Sequence, residues 1–282
     1  MTDYVFFGLL AGLLQLTGYV LYYTHVVRVD GKPNPLTWFM FAYGTVLLTI
    51  MEFDTMVREA VAEGSIESML AVLVLPIVCS TGGLLVAVKI WRDNYRNTKY
   101  WWPREWLIDW DDLDGQAFAV DLGLTAVYTV LWIYTLTGDD TTAVHKWWVI
   151  GLLLASNATT IPNFVPMLRQ TFKSPHEEHP LPWLVWGIAY TALLYPTWIK
   201  ASAGVVMPSS WLPFVIDMSV SIPEFYISLT FNWVWHVSFV ELVTLMSYPA
   251  LNAFMHTLQG VAAFSSKMSN LRPRRVSALT TT

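Results

Sequence analysis

Seven apolar stretches, each long enough to cross the hydrocarbon of a bilayer as an α-helix, restrict what this chain can fold into. They cover residues 4–27, 35–53, 68–91, 116–138, 147–172, 182–201 and 239–264. Hydrocarbon offers no water to bond peptide groups, so a crossing segment must satisfy its own backbone, and stretches of this length do so as helices. Composition agrees: 55% of the 282 residues are apolar and only 13% are charged, about half the usual load of a water-soluble domain. The fifteen Trp and thirteen Tyr fit the same class, because amphipathic rings favour the headgroup layers. The expected fold class is an all-α membrane protein with seven transmembrane helices.

Charge narrows the partners and sets the orientation. A net charge of −5, with Lys and Arg scattered through loops, argues against nucleic acid. Cys79 stands alone, so no intrachain disulfide forms. Met1 to Tyr4 holds no basic residue ahead of the first apolar run, which is therefore read as a retained helix and not as a cleaved leader. Residues 209–264 are apolar for more than one crossing but interrupted, with Asp217 and Glu224 among them. If 239–264 is the last crossing, thirteen Lys and Arg fall on one side and only Arg58, Lys146 and Lys200 on the other. A further crossing by 209–235 would make the split nine to seven. The positive-inside rule then favours seven spans, an outside N-terminus and a cytoplasmic C-terminus in a bacterial cytoplasmic (inner) membrane, with eight spans as the alternative.

The two halves share a spacing. A shift of 147 residues aligns Thr24 with Thr171, Pro33 with Pro180, Pro35 with Pro182, Ala42 with Ala189, Tyr43 with Tyr190 and Leu47 with Leu194. Three helices, one unpaired helix and three more make a parallel repeat, a plan in which secondary transporters place substrate between the halves near the midplane. The expected organisation is a first triple-helix bundle over 1–92, an interfacial Trp-rich loop over 93–115 and a linker helix over 116–138. A second bundle follows over 145–264 with an inserted segment at 205–235, and then a disordered basic tail over 265–282. The same shift pairs Pro76 with Pro223, whereas a 26-residue insertion pairs it with Pro249.

Gly31-Lys32-Pro33-Asn34-Pro35-Leu36-Thr37-Trp38 in the first half, with Pro166 to Glu178 and then Leu181-Pro182-Trp183 in the second, resembles the SWEET and PQ-loop superfamily, most closely its bacterial members. The Pro-Gln dipeptide itself is absent, since Met167 follows Pro166, and Tyr19 stands where the first-half Pro would be. The resemblance implies two triple-helix bundles (3+1+3) that rock about proline hinges, carried over here to Pro76, Pro162, Pro166 and Pro249. It also implies a substrate-binding Asn near Asn252 and a Trp or similar residue flanking substrate on the second and sixth spans, where Trp38 and Trp186 stand. These two do not align under the 147 shift, which favours membrane-belt anchors over a symmetric clamp.

The residues themselves supply further candidates. Asn157, Thr159, Thr160 and Asn163 lie in a span broken by Pro162 and Pro166, each of which frees a carbonyl in the preceding turn. That is either the wall of a polar cavity or packing glue between helices. Glu241, Thr244, Tyr248, Asn252, His256 and Gln259 recur every three or four residues and form one helical face, lining a solute path or packed inward. Tyr43 and Tyr190 are the aligned ring candidates for stacking on a solute. Asp121, near the start of its span, is read as solvated at an interface. No catalytic motif, metal-ligand cluster, cofactor signature or mid-span Lys for a retinal Schiff base is visible, so enzyme action is not expected.

The resulting expectation is a carrier of a small neutral polar solute, a sugar or vitamin-like compound, working by alternating access. It acts alone, as a homo-oligomer or within a membrane complex, and its alternative is a non-transporting scaffold or receptor subunit. A wet polar cavity between the halves favours the first; a filled centre with satisfied polar groups favours the second.

Overall fold

The computed structural model describes residues 3–28, 35–63, 67–98, 113–137, 142–174, 178–203 and 233–271. Among these every regular element is helical: α1 Asp3–Arg28, α2 Pro35–Glu63, α3 Glu67–Thr98, α4 Leu113–Thr137, α5 Thr142–Lys173, α6 Pro180–Ala203 and α7 Trp233–Leu271. The Trp-rich run with Trp101, Trp102, Trp106 and Trp110, most of the 205–235 insert and the tail beyond Leu271 lie outside the described residues.

Helix ends follow local chemistry. Proline opens α2 and α6, where its missing N–H costs nothing and its φ is already helical. Several helices outrun their apolar stretches. α3 continues to Thr98 through Arg92, Asp93 and Arg96, helped by an i,i+4 ion pair between Lys89 and Asp93. α2 continues to Glu63, one residue before Gly64. The last helix corrects two expected boundaries. It begins at Trp233, inside the assigned insert, and it runs through Ser265 to Leu271, a stretch expected to be disordered. Pro273 then disfavours helix in the residue before it.

The surface is oil and the interior is mixed. Phe6, Leu9, Leu13, Leu16 and Val20 form an exposed stripe on α1, and Val120, Val127, Val130 and Ile133 do the same on α4. Gln15, Asp121, Asn157, His256 and Gln259 are buried. Water-soluble folds distribute these classes the other way. Three helices carry segments long and apolar enough to cross a membrane, Asp3–His25, Ala71–Asp93 and Trp148–Lys173, and Phe118–Tyr134 adds a shorter apolar stretch. Among the described residues the α2, α6 and α7 stretches fall below that mark. Their Tyr, Trp and Pro, with buried polar side chains, dilute the apolar content.

Packing is pairwise and ordered. The backbone of α3 stands beside both α1 and α2, while those of α1 and α2 do not approach each other. In the same way α7 stands beside α5 and α6, which do not approach each other. Between these groups α1 meets α6, α2 meets α5, α3 also touches α6, with no such approach of α2 to α7 among the described residues, and α4 rests on α5 with an edge on α2. Gly8 and Gly12, one turn apart, allow the close α1–α3 approach: a Cβ on Gly8 would run into the Ala71 backbone, and one on Gly12 into Val74.

Such a surface is expected to meet hydrocarbon. Leu13 is 61% exposed near the middle of α1. Leu13→Arg should then cost about 3 kcal/mol of membrane insertion and lower the yield of folded protein from membranes, whereas Leu13→Ala should leave it nearly unchanged. If the arginine variant instead accumulates as folded protein without detergent, the lipid assignment of this face fails.

Candidate functional site

A polar cleft and an aromatic plug adjoin at the meeting of α2, α5, α6 and α7. The cleft lies between Phe41, Gly44, Thr45 and Leu48 of α2, Ser156, Thr159, Thr160, Asn163 and Phe164 of α5, and Tyr248 and Asn252 of α7, so apolar walls carry a few polar groups. Its open volume is about 30 Å³, room for about two water molecules and not for a sugar. A larger hollow of about 550 Å³ lies elsewhere, between α1 and α3, lined by Leu16, Val20, Ile77 and Leu85 with Lys89 and Arg92 at one end. Its apolar lining suits acyl chains better than a polar solute.

The plug is built around His256. Its ring centroid lies 4.8 Å from Phe164, 5.0 Å from Tyr190, 5.7 Å from Trp183, 5.7 Å from Trp186 and 6.4 Å from Phe41. Nδ1 donates to the Asn252 carbonyl at 2.8 Å, since a carbonyl can only accept. Nε2 is thereby left as a bare acceptor, and it has no partner. Around this centre the Trp186 indole donates to the Gln15 carbonyl at 3.0 Å, and Trp183 donates to Glu178 Oε2 at 3.0 Å. Trp38 donates to the Tyr22 hydroxyl at 3.1 Å and faces Trp183 across 6.4 Å.

This placement corrects the reading of the tryptophans as belt anchors, because Trp38, Trp183 and Trp186 are all buried. Trp38 and Trp183, each in the first turn of its helix, face one another, although the 147 shift does not align them, and Trp186 sits one turn deeper. Along α2 the order Trp38, Phe41, Gly44, Leu48 puts the plug between the cleft and the α1–α2 loop.

The other candidates divide. Asn163 and Asn252 line the cleft. Asn163 Oδ1 has no partner, and Asn252 donates to its own helix at the Tyr248 carbonyl, 2.9 Å. Asn157 knits α5 to α7 instead: Nδ2 donates to the Thr244 carbonyl at 3.2 Å and to Ser247 Oγ at 2.9 Å, leaving Oδ1 over. Tyr190 belongs to a hydroxyl–thiol cluster, donating to Cys79 Sγ at 3.2 Å and lying 3.2 Å from the Tyr248 hydroxyl. Tyr19 donates to the Cys79 carbonyl at 2.9 Å, so this cluster joins α1, α3, α6 and α7. Tyr43, its aligned counterpart, is not brought to the cleft. Its hydroxyl lies 2.6 Å from Thr125 Oγ1 on α4, and its ring packs on Phe118.

All four expected hinge prolines lie inside helices: Pro76 in α3, Pro162 and Pro166 in α5, Pro249 in α7. Pro76 and Pro249 thus occupy the third helix of each half, which fits the 26-residue insertion better than a pairing with residue 223, outside the described residues. The carbonyl that Pro249 leaves unbonded belongs to Leu245, next to the Thr244 carbonyl that Asn157 engages.

Asp121 was missed as a site residue. It is fully buried rather than solvated, because α4 presents that face to α5. The single Thr159 hydroxyl proton is shared between its own helix, at the Ser156 carbonyl 2.7 Å away, and Asp121 Oδ1 at 3.1 Å, and Oδ2 has no partner. The legible signal was an acidic residue followed at i+4 by Thr125 within an otherwise apolar helix.

Two substitutions test the plug by thermal unfolding in detergent. Trp186→Ala should cost about 3–5 kcal/mol by emptying the centre. Trp186→Phe should cost less, about 1 kcal/mol, since it removes one hydrogen bond to a Gln15 carbonyl that keeps its helical partner. Equal stability of both variants with the parent would show that the plug does not hold the helices together. No protein-family model, curated protein or solved structure matches this chain.

Proposed function

We propose that this chain is an integral membrane carrier for a small neutral polar solute, a sugar or vitamin-like compound, working by alternating access. It has seven crossings as two parallel triple-helix bundles joined by α4, and an outside N-terminus. The observation that carries the reading is a set of buried polar side chains with hydrogen-bonding atoms left over around a cleft between α2, α5 and α7. Asn163 Oδ1 on the cleft wall and Asp121 Oδ2 behind it, beside Gly44, both lack partners. A buried polar atom without a partner costs roughly 1–3 kcal/mol. A packing role alone gives no return for that cost, whereas a solute or water that enters the cleft does.

Two further features support it. The packing order is the same in the two halves, α3 between α1 and α2 and α7 between α5 and α6, with α1–α6 and α2–α5 as reciprocal contacts. Membership of the SWEET and PQ-loop superfamily, proposed from the loop residues, implies this 3+1+3 plan. The prolines at 162, 166 and 249 flank the cleft, where short-bonded turns let one group rock against the other. With the plug packed, the cleft is closed toward the α1–α2 loop, and rocking must part Trp38 from Trp183 to open it. Hydroxyl, amide and ring groups line the cleft, with no described basic residue among them, so a neutral solute suits it better than an anion.

A second reading, a non-transporting scaffold or receptor subunit, is favoured by one observation: the centre beside the cleft is filled by rings. Proteoliposome counterflow with radiolabelled glucose, sucrose and riboflavin separates the two. The carrier reading expects exchange of at least one probe, reduced by Asn163→Ala and by Asn252→Ala. Equal exchange in both variants would reject the site, and no exchange of any probe favours the scaffold. Replacing Pro162 and Pro166 together by Ala should raise the unfolding temperature, because an interior Pro costs roughly 3 kcal/mol in a helix, and should slow counterflow. A stabilised protein with unchanged exchange would remove α5 as the hinge.

A further inference from the structure

Asp121 is the one acidic side chain described on α4 that is fully buried. Its carboxyl faces α5 and α2. From α5 come the Thr159 hydroxyl, bonded to Oδ1 at 3.1 Å, and Asn163 one turn further. From α2 comes Gly44. A Cβ built there would sit 3.3 Å from Asp121 Oδ2 and 3.9 Å from Asn163 Nδ2, so the missing side chain keeps open the space beside that oxygen. Gly44, Thr159 and Asn163 are also walls of the cleft, so the carboxyl stands directly behind it.

The titratable groups around it are few. On α2, Tyr43 reaches Asp121 only through Thr125, whose hydroxyl donates to the Asp121 backbone carbonyl at 2.8 Å. Glu52 lies eight residues past Gly44 on the same helix, about 12 Å along its axis. α5 presents hydroxyl and amide groups there and no ionisable one, and no described Lys, Arg or His faces the carboxyl. Asp121 Oδ2 and Asn163 Oδ1 are left over and both are acceptors, while the Asn163 amide is, with the Thr159 hydroxyl, the donor group turned to the carboxyl.

We propose that Asp121 is a proton-binding site coupled to the cleft: its carboxylate takes up one proton as the cleft shuts and releases it when the cleft opens to water. This rests on the carrier reading above. An ionised carboxylate sealed from water without a cation carries a solvation cost of several kcal/mol. A proton on Oδ2 removes the charge and lets that oxygen donate to the left-over Asn163 Oδ1 or to water. When water enters past Gly44 and Asn163 it solvates the carboxylate, and the proton leaves to that water. The shut state and the protonated state therefore favour each other, which is the linkage a proton-coupled carrier needs.

Infrared spectroscopy of the protein reconstituted in liposomes tests the site without any substrate. The expected result at neutral pH is a protonated-carboxyl C=O stretch that Asp121→Asn abolishes and Glu52→Gln leaves in place. Thr159→Val should shift that band, since it removes the hydrogen bond to Oδ1, and it serves if the asparagine variant does not fold. In counterflow with the same radiolabelled probes, Asp121→Asn should lose the pH dependence of exchange. A band unchanged in both Asp121→Asn and Thr159→Val overturns the proposal, as does a band that responds to Na⁺ and not to pH. If the band behaves as expected but no probe exchanges under any pH gradient, the proton site stands and the carrier reading fails.

Discussion

Polar side chains enclosed by a bundle whose outside is oil are the constraint on which this structure depends. Where the surroundings are hydrocarbon, burying a leucine against another helix gains little over leaving it in lipid, so helices must be held by close backbone approach and interhelical hydrogen bonds. Both devices are present. Gly8 and Gly12 let α1 lie against α3, and the bonds from Asn157 to α7, Gln259 to Thr171 and Trp186 to Gln15 each tie two helices at a defined register.

That same constraint explains why the cleft and the plug are neighbours. Rings fill space densely while offering few polar atoms, so they close one end with little left unsatisfied beyond His256 Nε2. Amides and hydroxyls a turn or two away leave atoms over, and the prolines beside them leave carbonyls unbonded. A tight aromatic closure thus stands next to a pocket whose polar atoms are only partly satisfied.

The buried carboxyl fits this picture through α4. This helix packs on α5 along one face and leaves the opposite one to the surroundings, so a single Asp on the packed face falls within reach of Thr159 and the cleft wall. Its neighbour Tyr43 is tied through Thr125 to the same helix, so α2, α4 and α5 meet there as a unit.

The sequence by itself determined the helices: apolar lengths, Pro at the starts of α2 and α6, and the Gly or Pro that follows α2, α4 and α7 all act within a few residues. It also identified Asn163 and Asn252, because Asn inside an apolar helix is costly wherever it points. Only the tertiary structure decided the rest. Chain position near the start of a span suggests that Asp121 is solvated, while its burial depends on which face α4 turns to α5. Trp38 and Trp183 became partners only when the first turns of α2 and α6 met, and the aligned tyrosines parted because α4 takes up the Tyr43 hydroxyl through Thr125 while Tyr190 turns to Cys79 and Tyr248. Periodicity states that residues share a face; it does not state what that face touches, since contacts between distant segments are fixed by packing and not by local propensity.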